Sequence, residues 1–175
     1  MKYVYEFTNK RKLTKREFIQ WFQKKFLYIL RKFNMINRED IVTYENKGDF
    51  KGIVLEHLLK LYSEKSFVEI VNRNKKYAKK ALTETTDDGA KRIAEIIIKG
   101  DANELEKISP VYGKEIRPLF LFLDKEVLLY AKLIGLKFKI IKEKISNVSA
   151  FIDNLETKHP EIKNSIISSY LELFL

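Results

Sequence analysis

The stretch YENKGDFKGIVLEHLLKLY, Tyr44–Tyr62, has the outline of a phosphate-binding turn between a strand and a helix. The β-branched and aromatic run Ile41–Tyr44 leads into it, and apolar residues recur at helical spacing after it. Two glycines, Gly48 and Gly52, lie in the turn between them. This order predicts one unit of an α/β sheet, in which ligands bind beyond the carboxyl ends of the strands. Glu45–Gly52 is therefore a candidate binding loop.

The rest of the chain alternates strand and helix patterns in the same way. Its most regular helix pattern spans 13–35, where Thr14 and Glu17 form a capping box ahead of an apolar run. The pattern predicts a Rossmann-like α/β fold with a mostly parallel sheet of four or five strands flanked by helices, a basic N-terminal helix and a helical C-terminal extension. The predicted extended segments after Tyr44 are Ser66–Asn72, Lys80–Thr86, Ile116–Leu123 and Phe138–Ile141, and the predicted helices are Asp87–Lys99, Asp124–Leu133, Val148–Thr157 and Glu161–Phe174.

Length and hydropathy predict a single domain over 1–175. Within it we expect a basic N-terminal helical segment (1–38), an α/β core (39–142) and C-terminal helices (143–175). The N-terminus lacks a signal pattern, and no apolar run approaches the roughly 20 residues that span a bilayer. The expected location is the cytoplasm, with no membrane partner.

The 175 residues contain no cysteine, which excludes disulfides, thiolate catalysis and cysteine-ligated metal sites within them. The two histidines, His57 and His159, do not have the spacing of a metal pair. We predict that His57 packs inside the fold and that His159 marks a helix boundary. No metal site is predicted.

The net charge of +10 predicts an anionic partner. The first 51 residues hold 13 Lys or Arg against 6 Asp or Glu, which is +7 of that total. RNA or DNA is favoured over a membrane, although a Lys-rich solvated surface is also typical of thermophiles. The predicted phosphate contacts are Lys24, Lys25, Arg31 and Lys32 of the N-terminal helix, with Lys75, Lys76, Lys79 and Lys80 of the polar connection.

Three further stretches carry a resemblance to a known family. TDDGAKRIAEIIIKGD (Thr86–Asp101) is similar to a Leu-Asp-Asp-Glu-Ala helix start, IRPLFLFLDKEVLLYAKLIGLKF (Ile116–Phe138) to an Arg-Pro-Leu segment and its helix, and LETKHPEIKNSIISS (Leu155–Ser169) to a Leu-Glu-x-Lys-His-Pro segment. Together with the upstream basic helix they resemble the PP-loop ATPases that thiolate tRNA, the 2-thiouridine and 2-thiocytidine synthetases. The resemblance covers most of the chain and implies a PP-loop (HUP-type) Rossmann-like fold.

The departures from that family concern its nucleotide loop. The family's Ser-Gly-Gly-Lys-Asp-Ser falls on Lys47, Gly48, Asp49, Phe50, Lys51 and Gly52, where only Gly48 matches. Small residues in such a loop let backbone N–H groups cradle a pyrophosphate. Asp49 adds a negative charge there, and Phe50 removes the lysine. Asp87 and Asp88 are kept from the acidic motif, but Gly89 stands where the family has Glu, and no Cys-x-x-Cys is present.

These departures predict a degenerate member of the family. The leading hypothesis is a cofactor-free, non-catalytic paralogue that binds tRNA or another RNA as a scaffold, as a homodimer or as a heterodimer with an active PP-loop subunit. The alternatives are a stand-alone RNA-binding protein and a divergent nucleotide-binding or adenylating enzyme using Lys51, Asp87 and Asp88. The two aspartates are equally explained as caps at a helix N-terminus. The apolar tail SIISSYLELFL (165–175) is either a subunit interface or packed on its own sheet.

Overall fold

The computed structural model describes residues 2–72, 75–141 and 146–174. Its architecture is a five-stranded sheet flanked by helices, with a separate N-terminal β-hairpin. The strands are β1 (Tyr3–Glu6), β2 (Lys12–Thr14), β3 (Ile41–Tyr44), β4 (Glu69–Val71), β5 (Lys79–Ala81), β6 (Val111–Tyr112) and β7 (Glu115–Ile116). The helices are α1 (Lys15–Lys32), α2 (Phe50–Ser63), α3 (Thr86–Lys99), α4 (Asp124–Leu133), α5 (Asn147–Lys158) and α6 (Ile162–Phe174), with a 3-10 helix at Ala102–Ile108.

The strand order in the main sheet is β4-β3-β5-β7-β6. β3 runs parallel to β4 and β5, β5 runs parallel to β7, and only the edge strand β6 is antiparallel. The predicted mostly parallel α/β sheet is therefore confirmed. Because β3 and β5 are parallel neighbours, the segments that follow them meet at the same edge of the sheet. That edge holds the candidate loop Glu45–Gly52 and the start of α3, which bears Asp87 and Asp88.

The main core joins α1, α2 and α4 to the sheet. The capping box of Thr14 and Glu17 starts α1 as predicted. The Phe22 ring of α1 lies 4.2 Å from the rings of both Phe122 and Tyr130. The β1–β2 hairpin, which the sequence pattern does not predict, packs Tyr5 against Trp21 of α1. These contacts attach the basic N-terminal helix firmly to the fold.

A second, smaller core holds the C-terminal helix. It consists of buried side chains from α3, the 3-10 helix, the segment after β7 and α6: Ile93, Ile108, Phe120, Ile167 and Tyr170. The Tyr170 hydroxyl also donates to the Leu105 carbonyl at 2.8 Å. The middle of the apolar tail is thus packed on its own domain.

Two predicted extended segments are wrong. In Ile116–Leu123 only Ile116 lies in a strand, and the remainder forms turns. The reason is that the Arg117 guanidinium is buried and bonded to Glu84, at 2.6 Å, and to the Ser109 carbonyl, at 2.8 Å. Phe138–Ile141 has no strand either. Its Lys139 N–H instead donates to the carbonyl of Gly48 at 2.7 Å, so this segment covers the candidate loop.

Across the described parts of the chain, no helix is both long and apolar enough to cross a membrane.

Candidate functional site

The turn after β3 satisfies its own backbone donors. Asp49 is the N-cap of α2, and its carboxylate accepts from the Gly52 N–H at 2.9 Å. The side-chain oxygen of Asn46 accepts from the Gly48 N–H at 2.8 Å. A Cβ on Gly52 would lie within 3 Å of both side-chain oxygens, so glycine is what lets them approach. Two N–H groups of this loop are therefore bonded to the protein's own oxygens.

Lys51 connects this loop to the next one. Its side chain is buried, with 3% of the residue exposed. Its Nζ lies 2.9 Å from both carboxylate oxygens of Asp88 and 3.1 Å from Asp124 Oδ1. The starts of α2, α3 and α4 thus meet at one ammonium group. In the PP-loop motif that the sequence resembles, this position holds an aspartate, so the charge here is opposite.

Asp87 and Asp88 are both bonded to groups of the protein itself. Asp88 completes a capping box with Thr85 at the start of α3, as the capping interpretation expected. Asp87 accepts from the backbone N–H of Asp124 at 2.7 Å and from Lys163 Nζ at 2.6 Å. Burial, together with the charges of Asp87 and Asp88, raises the pKa of Asp124 to about 6 although Lys51 opposes the shift. Asp87, Asp88 and Asp124 thus form an acidic cluster whose charge is offset by the buried lysines Lys51 and Lys163.

Lys163 of α6 is the partner of this cluster that sequence reasoning missed. Its Nζ lies 2.6 Å from Asp87, 2.7 Å from Glu156 and 2.9 Å from Asp153, and the side chain is buried. Burial alone would lower the pKa of Lys163, but the carboxylates raise it above its ordinary value. The available signal was a single lysine on the apolar face of a predicted helix. It ties the C-terminal helices to the start of α3.

Phe50 is half-buried, between the main core and the open cleft beside the loop. It packs at the margin of the main core, and its ring lies 6.2 Å from that of Phe138. Lys47, three residues earlier, is exposed. The position that holds the family's lysine therefore supplies an apolar contact.

Gly89 has a packing reason of its own. A Cβ there would lie 2.9 Å from atoms of both Ile167 and Phe120. A larger residue, such as the family's Glu, would collide with α6. The close approach of α3 and α6 explains this departure.

A cleft of about 770 Å³ remains open beside the loop, between α3, the end of α4 and the segment at 138–141. Its size falls within the range of small-molecule sites. Arg92 on its wall is paired with Glu84 at 2.6 Å. The charged residues that line the cleft are Lys47, Lys51, Lys91, Arg92, Lys132 and Lys139 against Asp49, Glu84, Asp88 and Glu95.

The predicted RNA contacts of α1 separate into two groups. Lys24, Arg31 and Lys32 are exposed. Lys25 instead lies inward, 3.2 Å from Glu126 and 4.8 Å from the ring centre of Trp21. Burial lowers the pKa of Lys25, and Glu126 opposes that shift.

The lysines of the polar connection are mostly ion-paired. Carboxylates lie 2.7 Å from the ammonium groups of Lys75, Lys79 and Lys80. Lys76 is exposed. The paired carboxylates are Glu69, Asp40 and Glu45, respectively.

The histidines lie where the sequence placed them. His57 is half-buried, with its ring 6.1 Å from that of Tyr130, and burial lowers its pKa. His159 caps the C-terminus of α5. In residues 2–72, 75–141 and 146–174 there is no group of three His, Asp or Glu side chains able to hold a metal ion.

Comparison with known proteins gives a likeness in structure only. No family model matches the chain, and no curated protein matches it in sequence. Among solved structures it is similar to the U34-tRNA thiolase NcsA from Methanococcus maripaludis with its [4Fe-4S] cluster, with a TM-score of 0.77 and 19% identity over 98% of this chain and 84% of that chain. At this identity the likeness shows a shared fold, which confirms the predicted Rossmann-like α/β architecture. Such a cluster does not fit these 175 residues through thiolate ligands, because they contain no cysteine.

Proposed function

We propose that this chain is a non-catalytic relative of the PP-loop tRNA thiolases that binds RNA as a scaffold, in the cytoplasm, beside an active subunit of the same fold. The observation that carries the proposal is the Asp49 cap. Its carboxylate occupies the helix N-terminus at which a phosphate would bind. The loop therefore places the Asp49 carboxylate where the phosphate of a ligand would bind.

Electrostatics support the absence of tight ATP binding. A phosphate at the start of α2 would approach the Asp49 carboxylate, and two unit charges about 4 Å apart repel by roughly 4 kcal/mol at a protein surface. The nearby Lys51 is held by Asp88 and Asp124. Its charge is therefore shared with two carboxylates before any nucleotide arrives.

The lack of cysteine supports a role without sulfur transfer. The family's route through thiolates or a cluster has no side chains to use within these residues. A partner of the same fold would supply them. The fold shared with a tRNA thiolase makes tRNA the first RNA to test.

The outer face of α1 is the surface that suits RNA. Its exposed cations include Arg16, Lys24, Arg31 and Lys32, and Glu17 is the acidic residue among them. Lysine and arginine on a helix of this kind contact phosphates and set position rather than read bases. Lys25 is excluded because Glu126 already neutralises it.

The open cleft favours a second candidate, a divergent nucleotide-binding enzyme with a rebuilt pocket. Lys91 and Lys132 line the same cleft as Asp49 and would meet an anionic ligand there, with Lys91 also 3.5 Å from Asp153. A stand-alone RNA-binding protein remains the third candidate, and it differs from the scaffold only in lacking a partner.

Isothermal titration with ATP and Mg²⁺ tests the proposal that the chain is non-catalytic. We expect a dissociation constant no tighter than about millimolar, and no pyrophosphate release with tRNA present. Asp49→Ser is the matched variant, because serine also caps a helix but carries no charge. It should bind tripolyphosphate more tightly than the unmodified chain. A micromolar dissociation constant for ATP in the unmodified chain, lost on changing Asp88 to Asn, would contradict the scaffold proposal. It would support the divergent nucleotide-binding enzyme instead.

The salt dependence of tRNA binding tests the proposal that the chain binds RNA through the outer face of α1. Replacing Lys24, Arg31 and Lys32 together by Ala should flatten the log–log salt dependence by about one unit per contacted phosphate. Lys158→Ala is the control, because that lysine is also exposed but lies on α5 rather than on α1. An unchanged slope in the triple variant would mean that this face is only solvated. Co-purification with a cysteine-containing PP-loop protein separates the scaffold from the stand-alone protein.

A further inference from the structure

The end of the sheet opposite the candidate loop carries exposed aromatic rings. The parallel strands β4, β3, β5 and β7 all begin at this end, which we call the amino edge. Phe67 comes two residues before β4 and is 74% exposed, and Tyr77 comes two residues before β5 and is 79% exposed. Tyr112 of β6, next to the turn into β7, is a third exposed ring. Rings this open contribute little to the core.

Cations lie over two of these rings. The guanidinium carbon of Arg38 lies 4.5 Å from the ring centre of Phe67, and Lys114 Nζ lies 5.5 Å from that of Tyr77. Both distances are within the range of cation–π attraction. Arg38 precedes β3 and Lys114 precedes β7. In sheet order the amino edge therefore alternates ring, cation, ring, cation, ring.

Hydrogen bonds link neighbouring loops of the amino edge. The Glu39 N–H donates to the Phe67 carbonyl at 3.1 Å, joining the first ring to the loop that bears Arg38. Lys114 Nζ donates to the Lys76 carbonyl at 3.1 Å, joining the next cation to the loop that bears Tyr77. Phe67 and Tyr77 flank strands two positions apart, which is a separation of about 10 Å.

We propose that the amino edge binds unpaired nucleotides of a single-stranded nucleic acid. Bases stack on exposed aromatic rings whatever their sequence, and cations beside the rings meet the phosphates of the same strand. The exposed Lys76 adds a further positive charge. The acidic neighbours include Glu39, Asp40, Glu69 and Glu115. Three of them are paired: Asp40 with Lys79 at 2.7 Å, Glu69 with Lys75 at 2.7 Å and Glu115 with Arg117 at 3.3 Å.

A double helix suits this surface less well. Bases in a duplex are stacked on each other, so their faces cannot reach the rings of Phe67 and Tyr77. A protein partner would leave Arg38 and Lys114 without the phosphates that their placement favours. The amino edge therefore fits a loop, tail or bulge of an RNA.

This inference concerns a different surface from the proposed function. The scaffold proposal depends on the outer face of α1 and on the loop Glu45–Gly52, at the end of the sheet where the parallel strands finish. The amino-edge site depends on neither of them. An RNA bound by α1 through its paired region could place an unpaired segment here. The two contacts are separable by mutation.

Fluorescence anisotropy with a labelled twelve-nucleotide oligouridine tests the proposal on the full chain. Phe67→Ala with Tyr77→Ala should weaken binding at least about tenfold, since each stacked base contributes about 1–3 kcal/mol. Phe151→Ala is the matched control, because that ring is 60% exposed on α5, which packs on α3 and α6. The triple alanine variant of α1 should keep its oligouridine affinity within about threefold. Thermal unfolding should be unchanged in all of these variants.

A photocrosslinking experiment gives an independent readout. Oligouridine carrying 4-thiouridine should crosslink to peptides containing Phe67 or Tyr77, identified by mass spectrometry. Unchanged affinity in the double variant, with crosslinks only on α1, would overturn this inference and leave the scaffold proposal standing. Loss of self-association in the double variant, with oligouridine affinity unchanged, would make the amino edge a protein interface and equally overturn it. Absence of any RNA binding by the unmodified chain would overturn both.

Discussion

Replacing Lys51 by Met is the sharpest test of the neutralised acidic cluster. Methionine has a similar length and fits a buried position, but it has no charge. The change leaves the carboxylates of Asp88 and Asp124 facing each other at the junction of α2, α3 and α4. We expect the folded state to be destabilised by about 3 kcal/mol at pH 7.

The magnitude follows from the geometry. An ammonium 2.9 Å from one carboxylate and 3.1 Å from another gains about 5–6 kcal/mol from each at an effective dielectric of about 20. Most of this gain offsets the cost of taking Lys51 out of water, so the net value of the pair is small. Breaking a buried pair is different, because it leaves charge without compensation at about 3–5 kcal/mol. The lower end applies because both carboxylates keep partial contact with solvent.

Urea unfolding followed by circular dichroism measures this loss. Lys47→Met is the control, because that lysine lies on the same loop but is exposed, and it should change stability by less than about 0.5 kcal/mol. The loss in Lys51→Met should shrink at pH 5, because Asp124 can then take up a proton and shed its charge. A loss below about 1 kcal/mol at pH 7, or one that grows toward pH 5, would refute the electrostatic account.

Three further outcomes are expected elsewhere. Gly89→Ala should cost about 1–3 kcal/mol in urea unfolding, because its Cβ would meet Phe120 at 2.9 Å and overpack the contact with α6. Lys163→Met should expose α6 to proteolysis before the rest of the chain, since the charge on Asp87 loses its partner; equal cleavage rates in both proteins would contradict this. The carboxyl carbon of Asp124 should titrate by NMR near pH 6, above its ordinary value of 3.8. Because the folded state then binds this proton more tightly than the unfolded state, the stability from this group should rise as pH falls from about 6 to 4; a midpoint near 4 would argue against burial.

The fold was largely predictable from local patterns. The capping box at Thr14, the strand Ile41–Tyr44 and the helix from Asp87 to Lys99 each depend on residues close in sequence, and the structure has all three. The misassigned segment after Ile116 shows the limit of such patterns. Its apolar residues match an extended strand, but the buried Arg117 bonds to Glu84, 33 residues away, and turns the chain.

The site was predictable as a location but not as a set of contacts. Sequence placed Asp49 and Lys51 in the loop and Asp88 at the next helix start. The sequence predicts that Asp49 repels a bound phosphate, whereas the structure shows that Asp49 is the N-cap of α2 as well. Lys163 was missed because its partner Asp87 is 76 residues away.

The sequence by itself determined the class of fold, the excess of positive charge and the absence of thiol chemistry within these residues. Periodicity and capping depend on residues close in sequence, and composition is a sum over residues. All three can therefore be determined from the sequence without the tertiary structure. Only the tertiary structure decided which charges remain available to a partner. Lys25 and Lys24 are adjacent in sequence, yet Lys25 lies against Glu126 and Lys24 is open to solvent. That difference depends on how α1 packs on α4, and ion pairing between distant segments exists only once the chain has folded.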